Sequence, residues 1–83
     1  MKLSVRYFAS IREALGAGES MEWPAGSTVG AVRDALIARG GRHAEVLARG
    51  RALRCALDQV LCEESAKLDG DAELAFFPPV TGG

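Results

Sequence analysis

The chain has 83 residues, of which 48% are hydrophobic and 25% are charged, and its formal net charge is −1. This length and balance are typical of one small globular domain with a modest core. Because no excess of lysine and arginine is present to neutralise phosphates, nucleic acid is not expected as a partner. No apolar run approaches the roughly 18 residues of a membrane span, and no secretion signal is evident. We therefore expect a cytoplasmic protein with no membrane partner.

The first 23 residues predict a β-hairpin with a long connection. Residues 2–9 alternate in polarity, as in a half-buried strand, and residues 19–23 predict a second strand that Pro24 ends. Phe8 is then an aromatic side chain on the otherwise polar face of the first strand. The inward-facing residues of that strand are Leu3, Val5 and Tyr7.

Residues 28–41 predict the main helix. The hydroxyl of Ser27 or Thr28 can cap the first turn, and Gly40-Gly41 ends the helix. The apolar residues at helical spacing are Val29, Val32 and Leu36. Residues 43–49 predict a short second helix.

The second half of the chain returns to strand patterns. Residues 51–59 and 73–77 alternate, residues 60–62 predict a short strand after a kink, and residues 69–71 predict a turn. The helix between strands indicates an α+β domain in which the helix covers one face of the sheet. If the last strand pairs with the first, Phe8 and Phe77 share the uncovered face, which predicts a docking site for a partner protein.

The chain offers no catalytic, nucleotide-binding or metal-binding constellation. His43 is the only histidine and is expected on the surface, and the carboxylate pair Glu63-Glu64 is expected to be solvated. Cys55 and Cys62 are too far apart for a C-x-x-C motif and are expected to be buried thiols rather than a disulfide. We therefore expect no active site, no metal and no bound cofactor.

The last two residues, Gly82-Gly83, have no side chains, so the α-carboxylate of Gly83 is the distinctive group of the tail. Because glycine lacks Cβ, such a tail can enter a slot too narrow for other residues. A carboxylate reacts only after activation, typically as an acyl-adenylate made with ATP, and a partner enzyme is expected to provide that step. We predict a folded domain of residues 1–77 followed by a flexible reactive tail of residues 78–83.

Two segments carry a specific family resemblance. The runs VRYFASIRE at 5–13 and FFPPVTGG at 76–83 closely resemble the small subunits of molybdopterin synthase, and the match spans essentially the whole chain. Asp58 departs from the asparagine that is common in the family. The resemblance implies a β-grasp, ubiquitin-like fold with a mixed sheet of four to five strands covered on one face by a helix.

The resemblance also implies a sulfur-carrier cycle in molybdenum cofactor biosynthesis. An E1-like adenylyltransferase would adenylate Gly83 with ATP, and a sulfur donor would convert the adenylate to a thiocarboxylate. The tail would then enter the active site of the large synthase subunit and give its sulfur to a cyclic pyranopterin precursor. The small subunit would be a non-catalytic sulfur donor in a heterotetramer. The residues implied in the inserted tail are Pro78, Pro79, Val80, Thr81 and Gly82, and those implied in partner contacts are Phe8, Arg12, Leu61 and Phe77.

Two alternative functions remain open from the sequence. The same carboxyl activation would serve a ubiquitin-like modifier that is attached to lysines of other proteins. It would also serve a sulfur carrier for thiamine, cysteine or a tungsten cofactor. The run FFPPVT before the two glycines favours the carrier of molybdopterin synthesis.

Overall fold

The computed structural model describes residues 1–79 of the chain. It contains a five-stranded sheet in the order β2-β1-β7-β4-β5 and a two-stranded sheet of β3 and β6. None of its helices is long and apolar enough to cross a bilayer. In chain order the elements are β1 (Lys2–Tyr7), α1 (Ala9–Leu15), β2 (Gly18–Glu22), β3 (Ser27–Thr28), α2 (Val29–Ile37), α3 (Gly41–Val46), β4 (Arg54–Leu57), β5 (Val60–Cys62), β6 (Lys67–Leu68) and β7 (Ala72–Phe77).

The sheet is mixed because its first and last strands pair in parallel. β1 pairs with β7 in parallel and with β2 in antiparallel fashion, while β4 pairs with both β7 and β5 in antiparallel fashion. Alternate side chains of β1 and β7 point into the core, as the polarity pattern predicted. These buried residues are Leu3, Val5, Tyr7, Leu74 and Phe76.

Helix α2 covers one face of this sheet. The Thr28 hydroxyl accepts a hydrogen bond from the Ala31 N–H at 3.2 Å, which confirms the predicted cap. The helix residues Val29, Val32 and Leu36 are buried in the same cluster as the inward side chains of the sheet. The predicted α+β arrangement is confirmed, and within residues 1–79 the opposite face of the sheet is left uncovered.

The predicted hairpin of the first two strands is confirmed, but its long connection contains helix α1, which was not predicted. β1 ends at Tyr7, and Phe8 is the extended N-cap residue of the helix, with φ −130°. The alternation of polarity placed Phe8 in the strand, because the first residue after a strand can continue the alternating pattern of that strand. Ile11 of this helix is buried, and Leu15, four residues on, packs against the core. That i, i+4 spacing was the sequence signal of a helix.

The strand predicted over residues 51–59 is shorter in the structure, and the following strand is not its continuation. Asp58 and Gln59 have φ values of 49° and 69°, so they form a two-residue turn with the backbone twist of a type I′ hairpin. β5 therefore folds back onto β4 and becomes the edge strand of the sheet. The short pair of β3 with β6 was not predicted, since two-residue strands leave no periodicity.

Candidate functional site

An apolar groove lies on the uncovered face of the sheet and joins the two aromatic residues that alternation singled out. Phe8 and Phe77 both line it, together with Ala56, Ala75 and Gln59, and its volume is about 510 Å³. Phe8 is 41% exposed and directly follows β1, in which buried and accessible residues alternate. An accessible aromatic pair around an apolar floor is typical of a protein-docking surface.

The floor of the groove follows from the strand register. Arg6 is paired with Ala75, Ala75 with Ala56, and Ala56 with Leu61, so their side chains form one row across the uncovered face. The two alanines in the middle are small, so the row is low at its centre. Leu61 is 60% exposed on the edge strand β5 and provides an apolar end to this row.

Charged residues lie at one end of this row and beside it. Arg6 Nη1 lies 3.3 Å from Glu73 Oε1, and both residues line the groove. Arg54 is paired in register with Phe77 and therefore lies beside it on the same face. An apolar centre with a charged, solvated rim is the usual anatomy of a protein interface.

The fourth residue of the implied interface, Arg12, lies on α1 rather than on the sheet. Its N–H donates to the carbonyl oxygen of Phe8 at 3.3 Å, within the first turn of the helix, and the residue is exposed. The structure thus places Phe8, Leu61 and Phe77 on one face and Arg12 one helical turn beyond Phe8. Contact of these four residues with a partner stays a prediction.

The base of the predicted tail leaves the sheet next to Phe8. The Phe8 N–H donates to the carbonyl oxygen of Phe76 at 3.2 Å, which extends the parallel pairing by one residue. Phe77 ends β7, and the half-buried Pro78 and Pro79 follow directly. Proline fixes φ near −65°, so the chain is stiffened where it leaves the domain. Val80, Thr81, Gly82 and Gly83 lie outside the described residues.

A first polar cluster, around Glu19, includes the histidine that was expected on the surface. Tyr7 Oη donates to Glu19 Oε2 at 2.8 Å, and His43 Nε2 lies 3.3 Å from the same oxygen, half-buried against the Tyr7 ring. Burial acts to raise the pKa of Glu19, but hydrogen bonds from Arg39, Tyr7 and His43 outweigh it and hold that pKa below its usual value. Burial and the bond to Glu19 raise the pKa of Tyr7. These contacts tie β1 and β2 to α3 and to the segment between α2 and α3, away from the groove.

A second cluster surrounds Arg33, which the sequence analysis missed. Arg33 is 3% exposed, and its guanidinium donates to the carbonyl oxygens of Leu47, Ala48 and Arg51. It also bonds Glu64, which was expected to be solvated. The available signal was the position of Arg33 on the apolar stripe of α2, one residue after Val32 and three before Leu36. Within residues 1–79, no group of three or more His, Cys, Asp or Glu side chains could hold a metal ion.

Residues 5–83 match the model of a protein family described as the ThiS family. The chain belongs to the ThiS family. It is 43% identical over 82 residues to the molybdopterin synthase sulfur carrier subunit of Haemophilus influenzae, covering 98% of this chain and 99% of that relative. It is 36% identical over 81 residues to the protein of the same name from Escherichia coli, with the same two shares of coverage. The family resemblance stated from sequence is confirmed.

Solved structures with the same fold confirm the expected β-grasp architecture. SAMP1 from Haloferax volcanii matches with a TM-score of 0.76 at 23% identity, and the match covers 100% of both chains. A chain from Helicobacter pylori, solved as a complex of subunits 1 and 2 of molybdopterin-converting factor, matches with a TM-score of 0.69 at 23% identity, again over 100% of both chains. At 23% identity, these structural similarities show the ubiquitin-like fold and nothing further.

Proposed function

We propose that this protein is the sulfur carrier of a molybdopterin synthase. The observation that carries the proposal is the 43% identity to a sulfur carrier subunit of that enzyme over 98% of the chain. The FFPPVTGG run at 76–83 supports it, because it ends in the two residues that leave a carboxylate sterically open. The lysine-modifier alternative has no observation of comparable weight.

In the proposed cycle, Gly83 carries the sulfur. Its carboxylate attacks the α-phosphorus of ATP in an E1-like partner, and pyrophosphate leaves. A sulfur nucleophile then displaces AMP from the acyl-adenylate and gives a thiocarboxylate. That group passes its sulfur to a cyclic pyranopterin precursor in the large subunit, and the carboxylate returns after hydrolysis. This chain provides the carried group and its position, while the partners provide the catalytic residues.

The groove on the uncovered face is the proposed docking surface for the large subunit. Phe8 and Phe77 lie where the tail leaves the domain, so a partner that covers them also receives residues 78–83. Six extended residues span roughly 20 Å, which is enough to reach a recessed active site from a docked domain. The H. pylori complex of subunits 1 and 2 supports a pairing of this kind. A heterotetramer with two copies of each subunit is part of the same proposal.

The first experiment tests the carried group. The protein is incubated with the E1-like partner, ATP and a sulfur donor, and the intact mass is measured. We expect a gain equal to the difference between sulfur and oxygen, located at Gly83 by fragmentation. A variant lacking Gly83 and a variant with one residue added after it serve as controls and should stay unmodified. Sulfur at another residue, or none, would overturn the carrier proposal.

A second experiment separates the destinations of the sulfur. The charged protein is mixed with a molybdopterin synthase large subunit and the cyclic precursor, and dithiolene formation is followed. Formation of molybdopterin supports the proposed pathway. Charging at Gly83 without transfer in this assay would instead favour a carrier for thiamine, cysteine or a tungsten cofactor. Isopeptide-linked adducts in cells, with no transfer, would favour the modifier.

A further inference from the structure

The two cysteines of the chain face each other across the β4–β5 hairpin. Cys55 and Cys62 are paired in register, and both thiols are free. The Cys62 Sγ lies 3.7 Å from the Cys55 Sγ, and the Cys55 thiol also donates to the Cys62 carbonyl oxygen at 3.3 Å. The proposed sulfur-carrier function makes no use of this pair.

The backbone already holds the two residues at a distance that a disulfide accepts. Residues directly opposite in an antiparallel pair have Cα atoms about 4.5 or 5.5 Å apart. Disulfides occur at Cα separations of about 4.4–6.8 Å, with sulfurs bonded at about 2.0 Å. The distance between the two sulfurs therefore has to fall from 3.7 Å to about 2.0 Å. Rotation of the side chains provides this approach without a change of register.

The pair is also accessible to a small reagent from one side. A pocket of about 390 Å³ opens beside it, lined by Leu53, Arg54, Leu61, Glu63 and Glu64 in addition to the two cysteines. Cys62 is half-buried on the edge strand, whereas Cys55 is 5% exposed. The two thiols thus differ in access, with Cys62 outside and Cys55 behind it.

We propose that Cys55 and Cys62 form a dithiol modification site that exchanges with small disulfides, such as glutathione disulfide, and closes to an intramolecular disulfide. The Cys62 thiolate attacks one sulfur of the small disulfide, and a glutathione thiolate leaves and takes a proton. Cys55 then loses its proton and attacks the Cys62 sulfur, releasing the second glutathione. Two protein thiols are oxidised, and one glutathione disulfide is reduced to two thiols.

The order of these steps follows from the surroundings of each sulfur. Burial, the hydrogen bond with Cys62 and nearby negative charge raise the pKa of Cys55 to about 12, so this thiol stays protonated and is a poor first nucleophile. Once Cys62 carries the glutathionyl group, the adjacent Cys55 is the resolving thiol. Exchange of this kind is reversible, and an excess of reduced glutathione returns both thiols.

Peptide mapping of the folded, full-length protein tests the proposal. Trypsin cleaves after Arg54 and Lys67, so one peptide, residues 55–67, contains both cysteines. After treatment with glutathione disulfide, acid quenching and alkylation, we expect this peptide to be unalkylated and lighter by two hydrogen atoms than the dithiol. Dithiothreitol should restore two alkylation sites. Two alkylated cysteines after treatment, or a disulfide found only between chains, would overturn the proposal.

Single variants test the assigned order. Cys55→Ala should stop at a glutathionyl adduct on Cys62, while Cys62→Ala should react at least tenfold more slowly than wild type. In urea, where burial is lost, the two variants should react at similar rates. Equal rates in the folded state would contradict the assignment of Cys62 as the first nucleophile. If Cys55→Ala does not fold, the peptide map of the wild-type protein still decides whether the disulfide forms.

Discussion

Arg33 Nη1 donates to Glu64 Oε2 at 2.7 Å, which connects the middle of α2 to the segment that follows β5. The Arg33 Nε also donates to the Leu47 carbonyl oxygen at 2.8 Å. Burial acts to raise the pKa of Glu64, but bonds from Arg49 and Arg33 outweigh it and lower that pKa. One buried guanidinium therefore bonds carbonyl groups of the segment between α3 and β4 as well as the Glu64 carboxylate.

Replacing Arg33 should destabilise the fold strongly. Arg33→Ala removes the guanidinium donors to three carbonyl oxygens and one of the two arginine partners of Glu64, so we expect a loss of about 3 kcal/mol in unfolding free energy. Arg33→Lys keeps the charge but loses the planar fork and should recover only part of this. Urea denaturation measures both effects. The exposed Arg42→Ala is the matched control, and a Lys variant as stable as wild type would contradict the role of the fork.

Gly18 is the start of β2, and a side chain there should disturb the pairing with β1. A Cβ at this position would overlap the Val5 carbonyl oxygen. Gly18→Ala should therefore cost about 1–3 kcal/mol, through a shift of the strand end. Gly50→Ala is the control, because a Cβ there meets nothing within 4 Å. Thermal unfolding of both variants checks the prediction, and equal melting temperatures would disprove it.

The neighbours Leu61 and Val60 allow a test of the docking face with matched exposure. They are 60% and 67% exposed, but their side chains lie on opposite faces of β5, and only Leu61 belongs to the row that includes Ala56. Leu61→Ser should weaken binding to the large subunit about tenfold or more, since apolar anchors carry interface energy. Val60→Ser should leave the dissociation constant within about twofold. Calorimetric titration measures both dissociation constants. A larger loss of affinity for Val60→Ser than for Leu61→Ser would show that the docking face is wrong.

Glu19 should contribute to acid sensitivity. Its pKa in the folded protein is below the usual 4.5, so its stabilising effect is fully present above about pH 4.5 and is lost as the pH falls through the lower, folded value. Glu19→Gln should be less stable than wild type at pH 7 and should lose less stability between pH 5 and pH 3. Urea midpoints at each pH measure this, with the exposed Glu13→Gln as control. Parallel curves for wild type and Glu19→Gln would contradict the prediction.

A glycine in the hairpin turn at Asp58-Gln59 should stabilise the domain more at position 59 than at position 58. Both residues have positive φ, which costs a non-glycine residue about 1–2 kcal/mol. Gln59→Gly should raise the melting temperature by roughly 4–8 °C, equivalent to about 1 kcal/mol. Asp58→Gly should gain less, because Asp58 Oδ1 accepts a hydrogen bond from the Glu73 N–H at 3.0 Å. An equal gain for both variants would show that this bond contributes nothing.

Sequence patterns predicted the strands and helices in which buried and exposed residues recur at a regular spacing along the chain. Alternation found the inward face of β1 and also set Phe8 and Phe77 on one side, because parallel pairing of the terminal strands keeps their faces aligned. Leu61 and Arg12 were reached through family resemblance alone. The position of Arg33 on the apolar stripe of α2 was a signal of burial, but its hydrogen-bond partners lie 14 to 31 residues away and leave no local pattern.

The parallel pairing of β1 with β7 has a mechanical consequence. β7 is the central strand and lies between β1 and β4, so it is held by ladders on both sides. Tension applied to the chain beyond Pro79 acts along the axis of β7 and loads both ladders in shear, so their bonds must fail together. A pull on the edge strand β5 would instead peel its bonds one after another. The domain should therefore resist force best in the direction in which the tail would be withdrawn from a tight channel.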